Sequence, residues 1–339
     1  MRIVRCRWLW VGVLALTAGL LALLACVSQA STLGNLVGTI RIDGSSTVYP
    51  ITEAVAEEFM RLHHRVKPTV GISGTGGGFK KLCAGDTDIS DASRPIKPSE
   101  AELCLRNGID YIELPVAYDG LAVMVHPSND WVDHLTVDEL REIWRPESPV
   151  RKWSDIRPGW PEEDILLVGA DTDSGTFDYF TKAIVGKEGS SRSDYTWSSD
   201  DNVLVVAISG ERYSLGYFAL AYYLANQARL RGVPVDNGEG PVTVSVDTVG
   251  SGEYQPLSRP VFIYVSSASA ERLEVQEFVH YYLAQGHAYV PEVGFVPLTE
   301  NAYRLVLSRF EQRVTGSVFG GEGSQIGVSV EELLKQEGE

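Results

Sequence analysis

The chain has 339 residues, 44% hydrophobic and 22% charged, a balance typical of a globular protein and not of a disordered or fibrous one. This length is sufficient for two compact domains, each with its own hydrophobic core. The 45 acidic and 29 basic residues give a formal net charge of −16, which argues against binding to nucleic acid and against electrostatic docking on anionic lipid.

An export signal is predicted at residues 1–25. Three arginines and no acidic residue lie in this segment, which contains an apolar run from residue 9 to residue 25. At about 17 residues the run is short for a membrane-spanning helix but typical of a signal peptide. We therefore expect the mature protein to lie outside the cytoplasmic membrane.

The end of the signal allows two interpretations. Leu23-Leu24-Ala25-Cys26 has the spacing of a lipobox, which predicts that Cys26 is acylated and becomes the mature N-terminus, with residues 26–36 as a tether. Ser28-Gln29-Ala30 has the small-x-small pattern of a non-lipid cleavage site, which would release a free protein. The first interpretation predicts contact with the membrane through the lipid anchor alone.

Two cysteines remain for the folded protein. Cys6 leaves with the signal and Cys26 is taken by the lipid, so Cys83 and Cys104 are left in an oxidising compartment. A disulfide between them is the expected result. Two buried thiols are the alternative, and a zinc site is disfavoured because no histidine lies near either cysteine in the sequence.

Strands and helices alternate from residue 37 to residue 107. Apolar residues at helical spacing, such as Ile51, Val55 and Phe59, mark the first helix. The predicted strands are 37–42, 67–72 and 87–90, and the predicted helices are 51–64, 79–84 and 99–107. Turns at 43–50 and 73–78 and a loop at 91–98 join each strand to the next helix. This alternation predicts an α/β domain with a mostly parallel sheet.

Two extended apolar segments, residues 111–126 and 260–265, divide the chain. Both are long enough to leave one domain and enter another. We therefore predict a discontinuous domain I from residues 37–116 and 255–315 and an inserted domain II from residues 117–254. Further elements are predicted as helices 137–144, 177–184, 270–285 and 300–312, as strand 165–169, and as an acidic, Gly-rich, loosely held tail 316–339 with an amphipathic stretch at 328–334.

Four turns between strand and helix have a similar composition, and we call them the ligand turns. They are Gly44-Ser45-Ser46-Thr47, Ser73-Gly74-Thr75-Gly76-Gly77-Gly78, Asp91-Ala92-Ser93-Arg94 and Asp171-Thr172-Asp173-Ser174-Gly175-Thr176. Small residues let the backbone approach a ligand, and hydroxyls donate to oxygen. In open α/β sheets ligands bind beyond the carboxyl ends of the strands, so together the turns predict an anion pocket. Any one of them alone is explained as well by helix capping.

Charged residues in the ligand turns refine this prediction. Arg94 is the one full positive charge placed to compensate an anion, although a surface salt bridge is the alternative. A carboxylate among Asp91, Asp171 and Asp173 would repel an anion unless it accepts a proton from it, which selects hydrogen phosphate over sulfate. Each aspartate could instead cap a helix N-terminus.

Enzyme motifs are not found. The sequence contains neither a nucleophile elbow nor a phosphate-binding P-loop, and the histidines have no metal-ligand spacing. No nucleophile is paired with a base in a recognisable pattern. We therefore expect no catalytic activity, no cofactor and no metal.

In these turns the sequence resembles the phosphate-binding proteins of ABC importers, specifically the lipoprotein-like branch of cyanobacteria and related bacteria. The stretches that carry the resemblance are residues 43–50, 74–80, 88–95, 169–178 and 214–223. The resemblance implies a type II periplasmic-binding-protein fold, in which two α/β domains joined by two crossing strands clamp phosphate between them. It implies ligand contacts in all four turns, at Ser46, Thr47, Thr75, Ser93, Arg94, Ser174, Gly175 and Thr176. Ser45 and Asp173, which lie in the same turns, complete the predicted set of ligand-binding residues. One departure is Ala170, where better-known relatives have an arginine.

The function expected from these observations is capture of inorganic phosphate by a monomeric, extracytoplasmic protein that delivers it to the permease of an ABC importer. A binding protein for another oxyanion, such as molybdate, tungstate or sulfate, would use the same fold. A phosphate sensor or scavenger would have the same site, and a more remote alternative is an exported phosphatase. Hinge closure over the ligand is the expected mechanism.

Overall fold

The computed structural model describes residues 36–320 and 330–337. The predicted signal, the lipidation site at Cys26, most of the tether and parts of the tail lie outside the described residues. Within the described ranges no helix is long and apolar enough to cross a membrane.

The first part of the chain alternates strands and helices, as predicted. Its strands are β1 (Gly38–Gly44), β2 (Val66–Ile72) and β3 (Ile89–Ala92), and its helices are α1 (Tyr49–Leu62), α2 (Gly74–Ala84) and α3 (Pro98–Arg106). Strand β1 pairs in parallel with both β2 and β3. The apolar face of α1, including Ile51, Val55 and Phe59, is buried.

The middle of the chain begins with the long strand β4 (Tyr111–Val125). Its other strands are β5 (Leu135–Thr136), β6 (Leu166–Ala170), β7 (Thr196–Ser198), β8 (Ser214–Ala219), β9 (Arg231–Gly232), β10 (Val235–Asp236) and β11 (Pro241–Val242). Its α-helices are α4 (Val137–Trp144), α5 (Trp153–Ile156), α6 (Gly175–Phe180), α7 (Asp201–Gly210), α8 (Leu220–Ala225) and α9 (Val246–Gly250). A π-helical turn, Thr181–Val185, continues α6.

The last part of the chain begins with strand β12 (Ser258–Ser266), all of whose residues are buried. The elements that follow are α10 (Leu273–Ala284), β13 (Val296–Pro297), α11 (Glu300–Glu311) and α12 (Val330–Glu337). The predicted helix 270–285 therefore begins later, at Leu273, after a short 3-10 turn at Ser269–Glu271.

Strands β4 and β12 lie side by side, antiparallel, in the middle of the main sheet. The strand order along this sheet is β2-β1-β3-β12-β4-β8-β6-β7. The first part of β4 pairs with β12, and its last five residues, from Leu121 to Val125, pair with β8. Strand β4 therefore belongs to both halves of the sheet, which explains its near-continuous apolar sequence.

Two hydrophobic clusters lie on either side of this crossing. The first is formed mainly by residues 36–117 and 261–334, and the second mainly by residues 121–257. Tyr118 packs against both clusters. We call the two halves the first lobe and the second lobe. The domain boundaries predicted from the sequence remain a prediction.

The glycine-rich second ligand turn differs from its prediction. Residues 73–78 were expected to be a turn, but helix α2 already begins at Gly74. A Cβ atom on Gly78 would lie 2.5 Å from Ser90 Oγ and 2.7 Å from Gly44 Cα. Glycine at this position lets the helix pack directly on β1 and β3, and this contact outweighs the low helix propensity of glycine.

The described parts of the tail pack on the first lobe, contrary to the expectation of a loosely held segment. Phe319 is buried and packs edge-on against Phe262 of β12, with the ring centroids 5.4 Å apart. In α12, Val330 and Leu334 are buried as well. The amphipathic pattern of the tail is therefore satisfied by docking on the first lobe.

The predicted disulfide is confirmed. Cys83 at the end of α2 and Cys104 in α3 are bonded, with a sequence separation of 21 residues. Closing a loop of this length restricts the unfolded chain, so we expect a C83A/C104A variant to lose about 3 kcal/mol in its free energy of unfolding. Urea titrations with and without reductant measure this loss. Reductant should lower the urea midpoint of unfolding of the parent protein and leave that of the variant unchanged. An unchanged midpoint of the parent would contradict the prediction.

Candidate functional site

The four ligand turns meet in a cleft between the lobes. Three of them follow β1, β2 and β3 of the first lobe, and the fourth follows β6 of the second. Thr47 Oγ1 lies 3.0 Å from Thr176 Oγ1 across the cleft. The backbone N–H of Gly76 donates to the carbonyl of Asp173, also across the cleft and also at 3.0 Å. The predicted site residues that are buried here are Ser45, Ser46, Thr47, Thr75, Ser93, Arg94, Ser174, Gly175 and Thr176.

Further hydrogen bonds join turns that are distant in sequence. Within the first lobe, Thr75 Oγ1 lies 3.1 Å from Ser93 Oγ and accepts from the Ser93 backbone N–H at 3.2 Å. Between the lobes, the hydroxyl of Tyr222 in α8 donates to the carbonyl of Ser46 at 3.0 Å. The structure therefore brings the hydroxyl residues of all four turns together.

Two of the ligand turns lie at helix N-termini. Helix α2 begins at Gly74 and helix α6 at Gly175. Ser174 caps α6, because its side chain accepts from the backbone N–H of Thr176 at 3.1 Å. Free N–H groups and the helix dipole both favour an anion at such positions.

Asp91, in the third ligand turn, has a carboxylate that is completely buried in the first lobe. Its Oδ1 accepts from Thr52 Oγ1 at 3.0 Å, whereas its buried Oδ2 has no hydrogen-bond partner among the described residues. Desolvation by burial raises the pKa of Asp91 to about 8, helped by the nearby charge of Asp43 and opposed by the Thr52 hydrogen bond. This carboxyl group therefore takes up a proton far more readily than an ordinary aspartate.

The other two aspartates of the ligand turns, Asp171 and Asp173, are more exposed to solvent than Asp91. The side chain of Asp173 is 60% exposed, and its carboxylate lies 3.5 Å from Lys80 Nζ. Asp171 is partly buried and accepts from the Asp173 backbone N–H at 3.0 Å, and burial raises its pKa. Asp173 contributes to the cleft through its backbone carbonyl, which accepts from Gly76.

The guanidinium of Arg94 is bound by two carboxylates and a backbone carbonyl. Its Nε donates to Asp178 Oδ2 at 2.7 Å, and its two Nη atoms donate to the two oxygens of Glu100 at 2.8 Å each. Nη1 also donates to the carbonyl of Pro95. Asp178 belongs to the second lobe and also pairs with Lys97 at 2.7 Å. These contacts make Arg94 part of a buried ion-pair cluster between the lobes, a place that the sequence did not indicate.

Arg259, at the start of β12, is a site residue that the sequence interpretation missed. Its Nη2 donates to Thr176 Oγ1 at 2.7 Å, and its Nη1 donates to the carbonyl of Gly175 at 2.8 Å. Thr47 Oγ1 lies 3.5 Å from Nη2. Asp119 of β4 accepts from Nε and Nη2 at 3.2 and 3.0 Å, and both side chains of this ion pair are almost completely buried.

Comparison with known proteins identifies the family. A family model described as a PBP superfamily domain matches residues 29–285. Protein SphX of Synechocystis sp. is 47% identical over 330 residues, which cover 96% of each chain. The phosphate-binding protein PstS of Staphylococcus saprophyticus is 35% identical over 300 residues, covering 88% of this chain and 92% of its own.

The chain belongs to the PBP superfamily. A solved structure supports the same conclusion: a Clostridium perfringens protein assigned to phosphate ABC transport, with bound phosphate, is 25% identical. The match has a TM-score of 0.64 and covers 77% of this chain and all of the other. The predicted fold class is thereby confirmed as a type II periplasmic-binding-protein fold, with a ligand cleft between two α/β lobes and two crossing strands.

Ala170, the position at which an arginine was expected from better-known relatives, provides no positive charge. Ala170 ends β6, is buried, and accepts a hydrogen bond at its carbonyl from the hydroxyl of Tyr195. The charge nearest to the hydroxyls of the cleft comes instead from Arg259, on a crossing strand. One sequence signal could have indicated it. Arg259 directly precedes the apolar segment 260–265, and Asp119 interrupts the apolar segment 111–126 with a charge of opposite sign.

Proposed function

We propose that this protein binds inorganic phosphate between its two lobes and delivers it to an ABC-type importer outside the cytoplasmic membrane. The observation that carries the proposal is the convergence of four donor-rich turns from both lobes around the Thr47–Thr176 hydroxyl pair. The names of the relatives, which include phosphate-binding proteins, support the same ligand. Neutral donors hold an oxyanion well because hydrogen bonds to a charged group contribute about 1.5–3 kcal/mol each.

The proposed ligand contacts come from hydroxyls and backbone N–H groups on both sides of the cleft. They are Ser45, Ser46, Thr47, Thr75, Ser93, Ser174, Gly175 and Thr176. We assign Arg94 to the contact between the lobes, because its guanidinium is bound by Glu100 and Asp178. Asp173 contributes its backbone carbonyl at the rim of the cleft.

Asp91 is proposed as the group that distinguishes phosphate from sulfate. Hydrogen phosphate carries a proton that an ionised Asp91 accepts, so its binding requires no added proton. Sulfate carries none, so it binds only when Asp91 is itself protonated and donates. Above the pKa of this carboxyl group, sulfate affinity should therefore fall about tenfold per pH unit, while phosphate affinity stays level.

Calorimetric titration with phosphate and with sulfate, from about pH 5 to about pH 9, tests this proposal. The protein is first unfolded and refolded to remove ligand bound during expression. We expect one-to-one phosphate binding throughout, and preference over sulfate that grows with pH. In D91N the amide is a permanent donor, so sulfate binding should no longer depend on pH and discrimination should be lost.

The matched control is D171N, which removes a carboxylate from the fourth turn without changing the enclosed Asp91. It should keep the pH-dependent discrimination of the parent protein. Absence of phosphate binding by the parent would contradict the proposed function itself. Tighter binding of molybdate or sulfate at every pH would identify the protein as a binding protein for that oxyanion instead.

The two lobes are proposed to be the two domains predicted from the sequence, closing around the ligand. Support comes from the two separate hydrophobic clusters and from the crossing strands between them. Closure is stabilised by the ligand only through contacts that it makes better in the closed form. The lipobox at Cys26 supports a lipid tether to the membrane. The tethered protein is proposed to be a monomer, from which the permease receives phosphate.

A further inference from the structure

Arg259 connects the hinge, by which we mean the two crossing strands β4 and β12, with both sides of the cleft. It lies on the crossing strand β12, and its ion-pair partner Asp119 lies on the other crossing strand, β4. From there its guanidinium contacts Gly175 and Thr176 of the second lobe, with Thr47 of the first lobe 3.5 Å away.

The effect of Arg259 on a bound anion depends on the hydrogen bonds of Thr47 and Thr176. A hydroxyl has one proton and two lone pairs. Thr176 Oγ1 accepts from Arg259 and lies 3.0 Å from Thr47 Oγ1, and one of the two threonines donates to the other. Whichever donates, the proton of the other hydroxyl stays available to an anion. Because a cation donates to this pair, the remaining O–H is polarised and becomes a stronger donor.

The contact with Gly175 has a second effect. The carbonyl of Gly175 accepts from Arg259 in the first turn of α6, so the guanidinium holds the start of this helix against the hinge. The contact therefore fixes the backbone of the fourth ligand turn at the point where α6 begins. Arg259 thus acts on the second lobe through both a side chain and the backbone.

We infer that Arg259 is a positioning residue for the anion, which supplies positive charge to the site through the Thr47–Thr176 hydroxyl pair. This inference rests on the proposed phosphate site. It accounts for the absence of an arginine at Ala170, since the charge reaches the ligand from the hinge strand. Asp119 lowers the affinity for the anion, because its negative charge offsets part of the positive charge of Arg259.

The two members of this ion pair should therefore have opposite effects on phosphate affinity, which a purely structural ion pair would not produce. In R259M/D119N both charges are removed, so Asp119 is not left as a buried carboxylate without its partner. We expect this variant to bind phosphate about 10- to 100-fold more weakly in calorimetric titration. D119N keeps the arginine without the opposing charge, and its affinity should rise severalfold. R259K, which keeps the charge but loses the planar fork, should lie between R259M/D119N and the parent.

The matched control is R192M/D194N, which removes another arginine–carboxylate pair. Arg192 is also buried, and its other partners are the carbonyls of Ile143 and Val150. This variant should bind phosphate like the parent. Thermal unfolding confirms that each variant is folded.

The outcomes separate this inference from the proposed function. If the parent does not bind phosphate, the proposed function fails. If the parent binds and R259M/D119N binds equally well, only the role of Arg259 is overturned. Equal weakening by D119N and by R259M/D119N would likewise overturn it, because it would assign the pair a structural role.

Discussion

Replacing Gly175 by leucine is expected to weaken phosphate binding strongly while both lobes stay folded. A Cβ atom at this position would lie 2.5 Å from Ser93 Oγ and 2.9 Å from Thr75 Oγ1, both on the first lobe. The side chain would therefore meet the opposite lobe only when the cleft closes. Because apparent affinity falls with the fraction of closed protein, we expect a loss of about 100-fold or more.

Calorimetry measures this loss, and small-angle scattering with saturating phosphate should show that G175L stays more extended than the parent. The control is G210L at the end of α7, where a Cβ atom would have no other atom within 4 Å. G210L should bind phosphate normally. Binding by G175L with the affinity of the parent would contradict the view that close approach of the fourth turn to the first lobe is required.

The second large effect is expected for D178N. Asp178 of the second lobe pairs with Arg94 and Lys97 of the first, each at 2.7 Å, and its side chain is 4% exposed. Breaking a buried ion pair costs about 3–5 kcal/mol when a charge is left uncompensated. In D178N, Arg94 keeps its ion pair with Glu100, and Arg94 and Lys97 are hydrated again when the cleft opens. The free-energy cost is therefore smaller than this, and it opposes closure of the cleft. We expect about 2–3 kcal/mol, which weakens phosphate binding about 30- to 160-fold.

The matched control for this prediction is K80A. Lys80 and Asp173 also pair between the lobes, but at 3.5 Å and with side chains 67% and 60% exposed. Exposed pairs contribute about 0–1 kcal/mol, so K80A should change phosphate affinity only slightly. Calorimetry with both variants compares a buried and an exposed contact between the same two lobes. Equal effects of D178N and K80A would show that the Arg94 cluster does not stabilise the closed form.

The positions of the ligand turns were predictable because they follow from local patterns. Helical spacing in α1 and short apolar strands such as β1 and β3 indicate where each strand ends and the next helix begins. In a parallel sheet these ends lie on one edge, so residues as distant as Thr47 and Thr176 were expected in one pocket. The disulfide was predictable as well, since two cysteines remained once the signal was set aside.

The roles of the charged residues were not predictable in the same way. Arg94 lies in a ligand turn, and its sequence neighbours do not show that Asp178 of the second lobe takes its guanidinium. Arg259 is outside every turn, and only the pairing of β12 with β4 brings it beside Asp119 and Thr176. The helical start of α2 at Gly74 depends on contact with β1 and β3, which overrides the low helix propensity of glycine.

Local sequence patterns were sufficient to predict the alternation of strands and helices, the four donor-rich turns and the apolar crossing segments. These features depend on hydrophobic periodicity and turn chemistry, which act over a few residues. Three features depend on the tertiary structure: which arginine hydrogen-bonds to the cleft threonine, which carboxylate is enclosed and where the tail packs. Burial and ion pairing depend on groups distant in the chain, and their energies are set by the surroundings that folding creates.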